Sequence, residues 1–124
     1  MHLIIGGAYQ GKLDFALEHF GLCREQVFTC SDTNIDFSKP CIDKIEEFTY
    51  ACVLENRDAI ACFRENREKW ADSVLIFQDM SCGVVPLGAD MRKWRNENGQ
   101  LCQYLAREAE SVHRIFCGLE QRLK

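Results

Sequence analysis

The chain has 124 residues, of which 47% are hydrophobic and 27% charged, with a formal net charge of −4; these proportions suit one globular domain and exclude a disordered chain. Lys and Arg number 15 against 19 Asp and Glu and never collect in one segment, so the electrostatic footprint of a nucleic-acid binder is missing. The longest apolar runs, such as Ser73–Phe77, are strand-sized, and the opening His2-Leu-Ile-Ile5 has neither a basic flank nor a long apolar stretch, so a cytoplasmic chain without membrane span or export signal is expected.

In chain order, Leu3-Ile-Ile5 running into Gly6-Gly7 predicts a strand ended by a turn. Leu13, Ala16, Leu17 and Phe20 keep the spacing of one helical face, and Gly21 supplies the stop. Val27–Cys30 reads as a second short strand and the polar stretch Ser31–Pro40 as a loop. Ile45, Phe48 and Cys52 predict a helix from Ile42 to about Asn56, and Ile60, Phe63 and Trp70 predict another directly after it. Val74–Phe77 is uninterrupted and apolar, as in a central strand covered on both faces. Met91, Trp94, Leu101 and Leu105 predict a long amphipathic helix to about Glu110, followed by a strand over Val112–Cys117. Gly118 turns that strand into a short partner in which Leu119, Gln121 and Leu123 alternate. Strands alternating with helices predict an α/β fold in one domain over residues 1–124: a mostly parallel sheet, helices on both faces, and a C-terminal hairpin. Ligands of such sheets sit beyond the carboxyl ends of the strands, here after Ile5, Cys30 and Phe77.

Eight cysteines stand at 23, 30, 41, 52, 62, 82, 102 and 117 without a C-x-x-C pair, so the spacing of a zinc site is absent. Several lie in apolar runs, where a reduced thiol packs as a small hydrophobe.

The loop after the first strand carries the chemistry. Gly6-Gly7-Ala8-Tyr9-Gln10-Gly11-Lys12 fits G-x-x-x-x-G-K and stands between a strand and an amphipathic helix. Glycines let the backbone turn its N–H groups toward phosphate oxygens, Lys12 adds a point charge, and the helix N-terminus favours an anion. Gly6 to Leu13 are therefore the expected binding residues for a nucleoside triphosphate, ATP or GTP. Leu13 stands where Ser or Thr would offer a hydroxyl to Mg²⁺; a leucine cannot ligate a hard cation and also fits the apolar face of the helix.

Leu-Ile-Ile-Gly-Gly-Ala-x-x-Gly-Lys (3 to 12), Asp79 ahead of Gly83-Val-Val-Pro86, and then Arg95, Gly99, Gln103, Leu105-Ala106 and Ala109 together resemble the adenosylcobinamide kinase/adenosylcobinamide-phosphate guanylyltransferase family. The resemblance covers residues 1–31 and 74–124, about two-thirds of the chain. It implies a P-loop nucleotide-binding fold, assembled as a homo-oligomer (a trimer), that transfers the γ-phosphoryl of ATP or GTP to a corrinoid hydroxyl in cobalamin biosynthesis. It also implies catalytic roles for Lys12 and Asp79, with Asp79 as the carboxylate nearest Mg²⁺ and Thr29, Ser31 or Asp32 close by. The family guanylylates a histidine in a segment that is shortened here, and residues 31–41 contain no His, so the guanylyltransferase half is expected to be absent. His2, His19 and His113 are expected to have surface or packing roles. Ser81, Asn96 and Cys102 replace the family's Gly, Asp and Asn. With Leu13, these departures leave a second expectation open: a nucleotide- or corrinoid-binding regulatory protein without turnover. A kinase for another small hydroxyl substrate is a third.

Overall fold

The computed structural model describes residues 1–79 and 88–124. The expected Gly83–Pro86 turn, with Ser81 and Cys82, lies outside the described residues.

Six strands form one sheet in the order β2-β3-β4-β1-β5-β6. They are β1 (His2–Gly6), β2 (Val27–Thr29), β3 (Cys41–Asp43), β4 (Val74–Gln78), β5 (Ser111–Phe116) and β6 (Leu119–Arg122). All pairings are parallel except β5 with β6, which form the expected antiparallel hairpin. The helices are α1 (Lys12–His19), α2 (Ile45–Leu54), α3 (Ala59–Glu65), α4 (Arg67–Trp70) and α5 (Ala89–Glu108).

Alternation along the strands distributes apolar side chains to two faces. Leu3, Ile42, Leu75, Phe77 and Val112 join Phe48, Phe63, Trp70 and Leu105 in one buried cluster, on the side of α2 to α5. Ile4, Cys41, Val74, Ile76 and Ile115 join Ala16 of α1 in the other. The chain runs from β1 to β2 in one direction across the sheet and from β4 to β5 in the other. Right-handed crossovers therefore put α1 and α5 on opposite faces and open a crevice at the carboxyl end of β1.

The helix expected from Ile42 is overturned. Cys41–Asp43 is a strand between β2 and β4, and α2 begins only at Ile45, after Lys44 at φ 57°. The i, i+3 spacing of Ile42 and Ile45 mimics a helical face, but Cys41 and Ile42 are both fully buried, in different clusters. Burial on both faces of a sheet overrides the local pattern. The single helix expected through Ile60–Trp70 is two, broken at Asn66, whose Nδ2 donates to the Cys62 carbonyl at 2.7 Å. Such side-chain bonds to the backbone compete with helix continuation.

Among the described residues, no helix is long and apolar enough to cross a membrane. The seven described cysteines are free; Cys30, Cys41 and Cys52 are buried. Burial pushes the Cys41 and Cys52 thiols up to about 12, which keeps them protonated and inert.

Candidate functional site

Gly6 ends β1 between two neighbours, opposite Gln78 of β4 and Ile115 of β5. A Cβ at Gly6 would stand 2.6 Å from the Ile115 carbonyl oxygen and 3.4 Å from the Lys12 side chain, so only glycine fits. The chain then turns through Tyr9 at φ 59° and Gly11 at φ 86°, a left-handed conformation that favours glycine. Gly11 is the N-cap of α1, and no side chain caps it. The first-turn N–H groups of a helix lack partners within it, and here they open onto the crevice.

Two contacts hold the loop from outside. The Gln10 side-chain oxygen accepts from the Cys117 N–H at 2.5 Å, and the Gln10 carbonyl accepts from the Gly118 N–H at 3.0 Å. Both donors lie in the turn between β5 and β6. The Lys12 Nζ donates to the Gly7 carbonyl at 2.6 Å, folded over the loop it belongs to.

A cleft of about 590 Å³ runs between the loop from Ala8 to Asp14 and an opposite wall of Asp43, Lys44, Glu46, Glu47 and Gln78. Lys44, in the left-handed region, makes the turn that brings both ends of the acidic wall to the cleft. Asp43 and Glu46 are only 7% and 6% exposed. The Asp43 Oδ1 accepts from the Lys44 N–H at 2.8 Å, and the Glu46 Oε1 accepts from the Gln78 N–H at 2.9 Å. Trp94 of α5 donates its indole N–H to the Glu46 carbonyl at 2.9 Å, which anchors the start of α2. Burial raises both carboxyl groups above their ordinary range, and Asp43 raises Glu46 further. Burial lowers Lys12, while the Glu46 and Asp43 charges oppose that shift. The site thus sets the Lys12 ammonium against two desolvated carboxylates, with Lys44 and Glu47 on the same wall as the carboxylates.

The raised carboxyl groups carry a pH signature. A carboxyl whose folded pKa lies above its unfolded value penalises the folded state once it ionises. Its contribution improves as pH falls through the raised folded value and levels off below the ordinary values of 3.8 and 4.5. His2, lowered chiefly by burial, acts in the opposite sense as pH falls past 6.5. The comparison that isolates the pair is native protein against an Asp43→Asn/Glu46→Gln variant in thermal melts. The variant is expected to gain at neutral pH, and its advantage to shrink on acidification; parallel curves would remove the strain assigned to these groups.

Of the residues singled out by sequence, Ala8 to Leu13 line the cleft, and Gly6 and Gly7, directly before them, do not. Leu13 packs against the cluster of Ile4, Ala16, Ile76 and Ile115. Asp79 follows β4, and its N–H donates to the Gly6 carbonyl at 2.8 Å. It does not line the cleft; its charge, after burial, helps push the Cys102 thiol up to about 11. Thr29, Ser31 and Asp32 do not line the cleft either. Sequence reasoning missed Asp43 and Glu46, whose signal is the D-K-x-E-E run directly after the apolar Cys41-Ile42. Among the described residues, no group of three or more His, Cys, Asp or Glu is arranged to hold a metal ion.

A larger opening of about 720 Å³ lies between residues 33–38 and Cys62, Asn66 and Lys69. Its walls carry no glycine loop, and the helix that starts there, at Asn66, is the four-residue α4, so chemistry rather than size selects the smaller cleft. The three histidines do not line the cleft. His113, 2% exposed, bonds Glu120 through Nδ1 and the Ser111 hydroxyl through Nε2 at 2.9 Å. His2 Nδ1 bonds the same hydroxyl at 2.6 Å, and His19 stacks on Phe15.

Comparison with protein-family models and with curated proteins finds no match for this chain.

Proposed function

We propose that the cleft binds the polyphosphate of ATP or GTP and that the chain is a phosphate-loop kinase, passing the γ-phosphoryl group to a hydroxyl of a corrinoid. The observation that carries this reading is a glycine loop with its lysine, at the carboxyl end of a central parallel strand, facing two buried carboxylates across one cleft. Phosphoryl transfer asks mainly for positioning and charge neutralisation, and these groups supply both kinds of charge. Bound phosphates would take the Lys12 ammonium from the Gly7 carbonyl and engage the N–H groups of the loop and of the first turn of α1.

The residues fit a divalent cation when phosphate completes its shell. Mg²⁺ usually takes one or two carboxylates, waters and substrate phosphates, and Asp43 and Glu46 are the pair placed for it; Asp79, the carboxylate assigned by resemblance, borders Gly6 from the next strand. When bound, the cation would neutralise charge on the β- and γ-phosphates. Lys12 would do the same from the loop side, and Glu46 would stay oriented through its bond from Gln78. The corrinoid acceptor, the place in cobalamin biosynthesis and the loss of guanylyl transfer rest on the sequence resemblance.

A second reading, nucleotide binding without turnover, is favoured by one observation: Leu13 is packed into the apolar cluster under α1, where the motif's hydroxyl would serve the metal. Mass spectrometry of protein, Mg²⁺, ATP or GTP and adenosylcobinamide separates the two. A corrinoid heavier by one phosphoryl group, formed faster by the Leu13→Ser variant, is the expected result. Nucleotide binding with no product from either protein would establish the second reading.

A further inference from the structure

The far edge of the sheet is open. All four residues of β6 are exposed, and so are three large apolar side chains along the hairpin: Phe116 at 62%, Leu119 at 73% and Leu123 at 52%. An exposed apolar edge strand is a template for pairing with another chain, and natural edges are usually blunted against it.

The register determines what such a partner must look like. Phe116 pairs with Leu119 across the two-residue turn, and Leu123 donates its N–H to the Val112 carbonyl at 2.8 Å. Backbone groups alternate along an antiparallel strand, so residues 119, 121 and 123 face β5 while Glu120 and Arg122 direct their N–H and C=O groups outward. Side chains alternate in the other sense: Leu119, Gln121 and Leu123 share one face with Phe116, and Glu120 and Arg122 share the opposite face.

We infer that β6 pairs with β6 of a second copy of this chain, antiparallel about a two-fold axis through Gln121, a dimer in place of the trimer that the sequence resemblance implies. Three two-fold registers let the outward-facing groups bond. One sets Glu120 against Glu120 and one sets Arg122 against Arg122, both repulsive; the third sets Glu120 against Arg122 of the other copy, twice. Unlike charges directly opposite are favourable and like charges are not, so the charges select a single register. That register also brings Leu119 beside Leu123 of the other copy. Each Leu119 is then flanked by Phe116 on its own hairpin and by the second copy's Leu123, so the exposed apolar row becomes continuous. The Lys124 Nζ donates to the Ala106 and Arg107 carbonyls at the end of α5, and its backbone bonds Val112 of β5, which holds Lys124 on the inner side of the hairpin. The result is one twelve-stranded sheet, independent of what the cleft binds.

Light scattering during size exclusion is expected to give twice the monomer mass for native protein at micromolar concentrations. Arg122→Glu, which sets carboxylates against each other, is expected to shift it to monomer with an unchanged circular dichroism spectrum. At the axis Gln121 meets its own counterpart in a non-hydrogen-bonded pair, about 4.5 Å apart at Cα, within disulfide range. Gln121→Cys is therefore expected to give a symmetric disulfide on mild oxidation, identified by peptide mass despite the native cysteines. A native monomer, a trimer, or a dimer that Arg122→Glu leaves intact and that yields no cross-link at this position would overturn the inference.

Discussion

Lys12→Ala is expected to weaken nucleoside-triphosphate binding about 100-fold, through two effects of the same sign. The first is the loss of an ammonium donor to phosphate oxygens, and hydrogen bonds to charged groups are worth roughly 1.5–3 kcal/mol each. The second is what remains. Without Lys12, Asp43 and Glu46 confront the polyphosphate with two desolvated negative charges, and Lys44 on their own wall is the cation left lining the cleft. Calorimetric titration with ATP and GTP measures the change. Thermal melts serve as the control, since among the described residues the Lys12 ammonium donates to its own loop and its loss should leave the fold standing. Unchanged affinity would remove the loop from nucleotide binding.

Gly6→Ala is expected to lower stability by about 1–3 kcal/mol, the usual cost of overpacking, and the melting temperature by roughly 4–15 °C. The new methyl would meet the Ile115 carbonyl oxygen at 2.6 Å, and that oxygen belongs to the backbone of a paired strand, which cannot swing aside as a side chain does. Relief would come from separating β1 from β5 or from displacing the Lys12 stem on the other side. Binding should therefore weaken along with stability. A melting temperature within a degree of native would mean that the strands give way easily at the mouth of the cleft.

How far the sequence reveals this arrangement differs between its two walls. The loop wall is legible because its requirements are local: Gly6 and Gly11 answer to backbone geometry, Lys12 follows within the same turn, and the apolar face of α1 starts at once. The acidic wall is not, because β3 is three residues long and supplies too few positions for alternation to appear. Ile42 and Ile45 happen to fall at helical spacing, and only pairing with β2 and β4 reveals that the first belongs to the sheet. Asp43 and Glu46 then read as ordinary polar positions of a helix start. Glu46 is held by contacts with Gln78 and Trp94, 32 and 48 residues away, and Asp43 by the pairing of β3 with Thr29 of β2, and no local pattern carries information over such distances. The central strand Val74–Phe77 and the final hairpin are legible for the opposite reason, a full apolar run in one and a glycine turn with alternation in the other.

The tie between Gln10 and the turn at Cys117 and Gly118 spans 107 positions of chain. The loop is thus held in shape by a segment made much later in synthesis, and closing a contact of such separation carries a high entropic cost. A chain without β5 and β6 would carry the complete glycine motif and still lack the clamp that holds Gln10. The shape of the loop would then depend on the hairpin being in place at the other side of β1.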